Sequence, residues 1–86
     1  MKNAHTLNPD VVFKRLDDRM VLIHLETNQV FELNDTGARI WEMLEAGADE
    51  DDIAERLSAE FEVAPEQLQR DLNDLLRELT SQGLIS

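Results

Sequence analysis

Apolar positions change period once along the chain, from every second residue before Asn34 to every third or fourth after it. Before the change stand three runs rich in β-branched and aromatic residues: Val11-Val12-Phe13-Lys14-Arg15-Leu16, Arg19 to Leu25, and Gln29-Val30-Phe31-Glu32-Leu33. Polar breaks at Asp17-Asp18 and Glu26-Thr27-Asn28 separate them, so the pattern predicts a three-stranded antiparallel meander. With Asn28 in the left-handed position of a three-residue loop, Leu25 faces Gln29, Ile23 faces Phe31 and Val21 faces Leu33. That register puts Val21, Ile23, Leu25, Phe31 and Leu33 on the core face and leaves Met20, Leu22, His24, Val30 and Glu32 on the other.

Three helices are predicted to follow. Asn34 or Asp35 caps the first, which carries Ile40, Trp41 and Leu44 at helical spacing and stops at Gly47. Ala48-Asp49-Glu50-Asp51-Asp52 crowds carboxylates at the start of the second, where they complement the positive end of its dipole, and Ile53, Leu57 and Phe61 form its stripe. The third spans about 65 to 82: Pro65 suits the first helical position, Val63 and Leu68 form a hydrophobic staple, and Gly83 with Leu84 closes a Schellman stop against Leu79. Its stripe is Leu68, Leu72, Leu75, Leu76 and Leu79, with Asp71, Glu78 and Gln82 along one flank and Gln69, Asn73 and Thr80 along the other. Strands followed by helices make an α+β domain of residues 11–86. Residues 1–10 show no periodicity and are expected to form a loose arm.

Length and composition narrow the function. Eighty-six residues form one small core with little room for an internal catalytic cavity. The net charge of −11, from 19 acidic and 8 basic residues, repels phosphate backbones and argues against nucleic acid. No stretch approaches the ~20 apolar residues of a membrane span, and no apolar run follows the N-terminus, so a cytoplasmic protein without membrane association is expected. There is no cysteine, hence no disulfide and no thiolate metal site. His5 and His24 lack metal-binding or base-forming neighbours in sequence, Asp49 to Asp52 lack the ligand alternation of a calcium loop, and Ser58 and Ser81 have no adjacent base. These features predict neither an enzyme nor a cofactor. What remains is the third strand: an exposed edge there offers unpaired backbone groups to an extended peptide.

The run His24-Leu25-Glu26-Thr27-Asn28-Gln29-Val30-Phe31-Glu32-Leu33-Asn34-Asp35-Thr36-Gly37-Ala38-Arg39-Ile40-Trp41 resembles the PqqD-like family, the RiPP recognition elements of pathways that modify ribosomally made peptides. The likeness continues through Ile53-Ala54-Glu55-Arg56-Leu57, Phe61 to Glu66, Asp71-Leu72, Leu75-Leu76, Leu79 and Gly83-Leu84. Asn28 stands where many members have Gly in the second turn, a position Asn tolerates.

The resemblance implies a winged-helix-like domain that binds the leader of a precursor peptide as a fourth strand, without chemistry of its own, and delivers it to a leader peptidase, radical enzyme or other modifying partner. Carried onto this chain, the rail is Gln29, Val30, Phe31, Glu32 and Leu33, and the groove wall comes from Asp71, Leu72, Leu75, Leu76 and Leu79. The second turn and first helix read closest to members that accompany lasso-peptide leader proteases. The acidic flank of helix three suits basic leader residues, and the open edge also invites weak homodimer formation. The alternative is a winged-helix DNA-binding protein, against which stands a third helix whose Arg70 and Arg77 lie among Asp71, Asp74 and Glu78.

Overall fold

The computed structural model describes residues 5–86. Strands β1 (Val11–Arg15), β2 (Arg19–His24) and β3 (Gln29–Asn34) precede helices α1 (Asp35–Glu45), α2 (Glu50–Glu60) and α3 (Pro65–Ser81). The three strands form one antiparallel sheet in the order β1-β2-β3, so β1 and β3 are its edges. This is the α+β order expected from the change of period.

The register between β2 and β3 corrects the expected one. His24 faces Gln29, Leu22 faces Phe31 and Met20 faces Leu33. The loop has four residues, Leu25 to Asn28, and is closed by the Asn28 N–H donating to the His24 carbonyl at 2.8 Å, with Asn28 at φ 59°. One added loop residue turns every β2 side chain to the opposite face. Met20, Leu22 and His24 are therefore buried, while Ile23 and Leu25, expected in the core, are 37% and 53% exposed. Phe31 and Leu33 remain on the inner face, Phe31 half-buried and Leu33 buried.

Each helix is held by its ends. The Asn34 side chain accepts the Gly37 N–H at 2.8 Å, and that of Asp49 accepts the Asp52 N–H at 2.9 Å. After α3, the Leu84 N–H reaches the Leu79 carbonyl at 2.9 Å and the Gly83 N–H the Thr80 carbonyl at 3.1 Å, with Gly83 at φ +74°: the expected Schellman stop. These caps fix where each amphipathic face points.

Trp41 and Leu22 are fully buried where α1 meets the sheet, and Ile53, Leu57 and Leu72 fill the space between α2 and α3. Phe13 of β1 stands edge-on against Trp41, ring centroids 5.7 Å apart. The arm departs from expectation. Residues 1–4 lie outside the described residues, but from Thr6 the chain runs antiparallel to the C-terminus. The Thr6 N–H donates to the Ser86 carbonyl at 3.2 Å, the Ser86 N–H to the Thr6 carbonyl at 2.9 Å, and the Asn8 N–H to the Leu84 carbonyl at 3.0 Å. The Asn8 side chain donates to the Gly83 carbonyl at 2.8 Å and lies 3.4 Å from Nε2 of buried His24. A residue expected on the open face thus sits beneath this clasp.

Candidate functional site

Backbone geometry determines which groups β3 offers. Leu25 donates to the Asp10 carbonyl and Leu16 to the Arg19 carbonyl, both at 2.8 Å, so the odd-numbered residues of β2 bond toward β1. Antiparallel pairing alternates, and the even-numbered Met20, Leu22 and His24 therefore bond toward Leu33, Phe31 and Gln29. What β3 has left for its free edge are the N–H and C=O groups of Val30 and Glu32. Among the described residues, neither N–H has a partner in the chain.

Beside that edge lies a cleft of about 400 Å³. Its apolar lining comes from Phe31 and Leu33 of β3, Ile40 of α1, Leu75 and Leu79 of α3, and Leu84. Gly37 allows the first turn of α1 to close against β3: a Cβ there would lie 3.3 Å from both Leu33 Cβ and Asn34 Oδ1. The polar lining is Glu32, Asn34, Thr36, Asp71, Glu78 and Gln82. Asp71 and Glu78 line the cleft with no cation beside them, while Glu32, like Val30, alternates to the outer sheet face and borders the cleft through its backbone. Asp71 accepts a hydrogen bond from Gln67 Nε2 at 2.8 Å, and among the described residues none of the three carboxylates is ion-paired.

Of the ten residues expected from the sequence, the cleft brings together Phe31, Glu32, Leu33, Asp71, Leu75 and Leu79. It does not include Leu72 or Leu76, which are 0% and 4% exposed and face the core. Gln29 and Val30 stand outside the cleft, Val30 being 66% exposed on the outer sheet face, so its contribution is its edge-facing backbone. The cleft also includes Asn34, Thr36, Gly37, Ile40 and Leu84, which were not among the expected site residues, and Glu78 and Gln82, which were expected only as part of the flank of helix three. The signal for part of this set was present: Asp71, Leu75, Glu78 and Gln82 follow an i, i+4, i+7, i+11 spacing, one face of α3 adjoining its core face.

Away from the cleft, polar side chains make contacts between elements. His5 Nε2 lies 3.7 Å from a Glu50 carboxylate oxygen, and among the described residues no group of His, Asp and Glu could hold a metal ion. Arg39 and Glu60 form a two-pronged pair at 2.9 and 3.0 Å that ties α1 to α2. Its hydrogen bonds raise the Arg39 pKa and hold the Glu60 carboxyl below its ordinary range.

The profile of the family described as Coenzyme PQQ synthesis protein D (PqqD) matches residues 19–85, a span that contains β2, β3, all three helices and every residue lining the cleft. The chain belongs to the PqqD family. Two solved structures are similar over nearly the whole chain. TbiB1 in complex with the TbiA(beta) leader peptide has 37% sequence identity and a TM-score of 0.89, over 94% of each chain. A lasso peptide synthetase B1 complexed with its leader peptide has 30% identity and a TM-score of 0.86, over 95% of this chain and 96% of the other. No curated protein matches the chain at a significant level. As a PqqD-family domain, then, it has the fold of two proteins solved in complex with leader peptides.

Proposed function

We propose that the protein recognises the leader segment of a ribosomally made precursor peptide and binds it as a fourth strand along β3, with alternate leader side chains entering the cleft toward α3. The observation that carries this reading is the unpaired backbone edge at Val30 and Glu32 standing directly beside an apolar cleft. Strand addition gives affinity through main-chain hydrogen bonds, and the cleft supplies selectivity through alternate side chains. The two similar structures are leader-peptide complexes, which favours the same guest here. In this reading the protein performs no chemistry and presents the leader to a modifying enzyme. Its similarity to lasso peptide synthetase B1 proteins favours a leader peptidase over a radical enzyme. It acts in the cytoplasm, where newly translated precursors are found, and no described helix is long and apolar enough to cross a membrane.

The edge geometry yields a sharp test. Proline at Val30 removes an N–H that points away from β2, so the sheet ladder survives while a donor to the guest is lost. Fluorescence anisotropy with a labelled synthetic leader of the cognate precursor should give saturable binding by the native protein. Val30→Pro should bind at least ~10-fold more weakly, equivalent to ~1.4 kcal/mol, with an unchanged circular dichroism spectrum. Equal affinity in a folded Val30→Pro protein refutes strand addition. The same edge pairs weakly with a second copy of the chain, so saturating leader should shift any dimer seen by sedimentation to monomer.

A further inference from the structure

The cleft is asymmetric in charge. Two carboxylates, Asp71 and Glu78, border an apolar floor with no Lys, Arg or His among the lining residues. Asp71 and Glu78 lie two turns apart on the same face of α3, about 10 Å along its axis, with Leu75 between them. Glu32 stands on the opposite side of the site, on the exposed outer face of β3. A guest strand lying between β3 and α3 takes water away from Asp71 and Glu78 and sets its own outward side chains beside Glu32, and a carboxylate desolvated without a partner is costly. Aspartate or glutamate on the guest adds repulsion, whereas Lys and Arg lay their stems along apolar surface and bring the charge to the rim.

We infer that the leader segment taken by this groove is cationic: apolar at the positions that enter the cleft over Phe31 and Leu75, with Lys or Arg flanking that apolar run to meet Asp71 and Glu78 and another beside Glu32. This rests on the leader-binding reading and specifies its substrate class. The site itself consists of the free edge and the cleft, and the carboxylates select among the extended peptides that fit. The net charge of −11 steers such a guest from a distance, but the rim determines where its charges come to rest.

The test separates the rim from the overall charge. A random dodecapeptide library is selected by messenger-RNA display on three immobilised full-length proteins: the native chain, a rim variant (Glu32→Gln, Asp71→Asn, Glu78→Gln) and a charge-matched control (Asp18→Asn, Glu55→Gln, Glu62→Gln). Both variants lose three of the 19 acidic residues, and the control positions are exposed and outside the cleft. Peptides recovered on the native and control proteins should be enriched roughly twofold or more in Lys and Arg flanking apolar residues, and the rim variant should lose that enrichment. The tightest native-selected peptide should bind the rim variant about 5- to 10-fold more weakly than the control, with a shallower salt dependence. Equal enrichment and equal affinity on the rim and control variants overturn the inference while leaving strand addition intact. Recovered peptides that bind Val30→Pro as tightly as the native chain overturn the leader-binding reading on which it rests.

Discussion

Both outer strands of the sheet are edges, yet only one borders a cleft walled by a long helix. On β1, the alternation that assigns edge groups on β3 leaves the backbones of Val11, Phe13 and Arg15 facing outward. The chain partly satisfies this edge itself, since the Val11 N–H donates to the Asn8 carbonyl at 3.1 Å. Inward, Phe13 is committed to Trp41, and the nearby hollow of about 430 Å³ is bordered by the stretch from His5 to Pro9, which the C-terminus pins. On β3 the edge groups of Val30 and Glu32 lack a chain partner, and 17-residue α3 supplies a wall of Leu75 and Leu79 across a gap. A strand edge becomes a recognition site when apolar space beside it can receive a guest's side chains; without that space it is simply an edge to be covered.

The largest effect expected from this contrast lies on the β1 side. Trp41 is fully buried behind Phe13, and Trp41→Ala should cost about 3–5 kcal/mol of stability in urea unfolding. The paired proline test comes next. Arg15→Pro removes an edge-facing N–H on β1 and should leave leader affinity within about twofold, against the loss of at least ~10-fold for Val30→Pro. Comparable losses from both would erase the distinction between the edges. Smaller again is Leu75→Ala. This half-buried side chain lines the cleft, and its truncation should weaken leader binding several-fold while costing no more than ~1–2 kcal/mol of stability. Trp41 would then be measured mainly as folding and Leu75 mainly as binding.

The order of elements was legible because each helix carries its own punctuation: Asn34, Asp49 and Pro65 at the starts, Gly47 and Gly83 at the ends. The facing of β2 was not. Val21, Ile23 and Leu25 are at least as apolar as Met20, Leu22 and His24, so alternation could not reveal the error of a three-residue loop, and only the extra loop residue between His24 and Gln29 decides the parity. The same limit governs the site. The β3 rail was readable, as were the carboxylates at Asp71 and Glu78. Which leucines reach the cleft depends on how α3 rolls against α2, and this sends Leu72 and Leu76 wholly into the core, leaves Leu75 half-buried along the groove and sets buried Leu79 at its floor. Thr6 to Asn8 lack periodicity because backbone pairing with the C-terminus holds them, and such pairing leaves little mark on sequence.

The smallest expected effect concerns a pair distant from both edges. Arg39 and Glu60 join α1 to α2 through two hydrogen bonds, which lower the Glu60 pKa and raise that of Arg39. A carboxyl held below its ordinary range stabilises the fold above that range, and the stabilisation fades as pH falls through its lowered value. The raised Arg39 pKa bears on stability only at strongly alkaline pH. Glu60→Gln should therefore slightly reduce stability near neutrality and flatten the acid side of its pH dependence, measured by urea midpoints from neutral pH down to about pH 3. Leader affinity at neutral pH should not change, since neither residue lines the cleft or the β3 edge. A matching loss of affinity would mean that the α1–α2 contact sets the width of the groove, and the β3 site could no longer be treated as an edge and a wall acting locally.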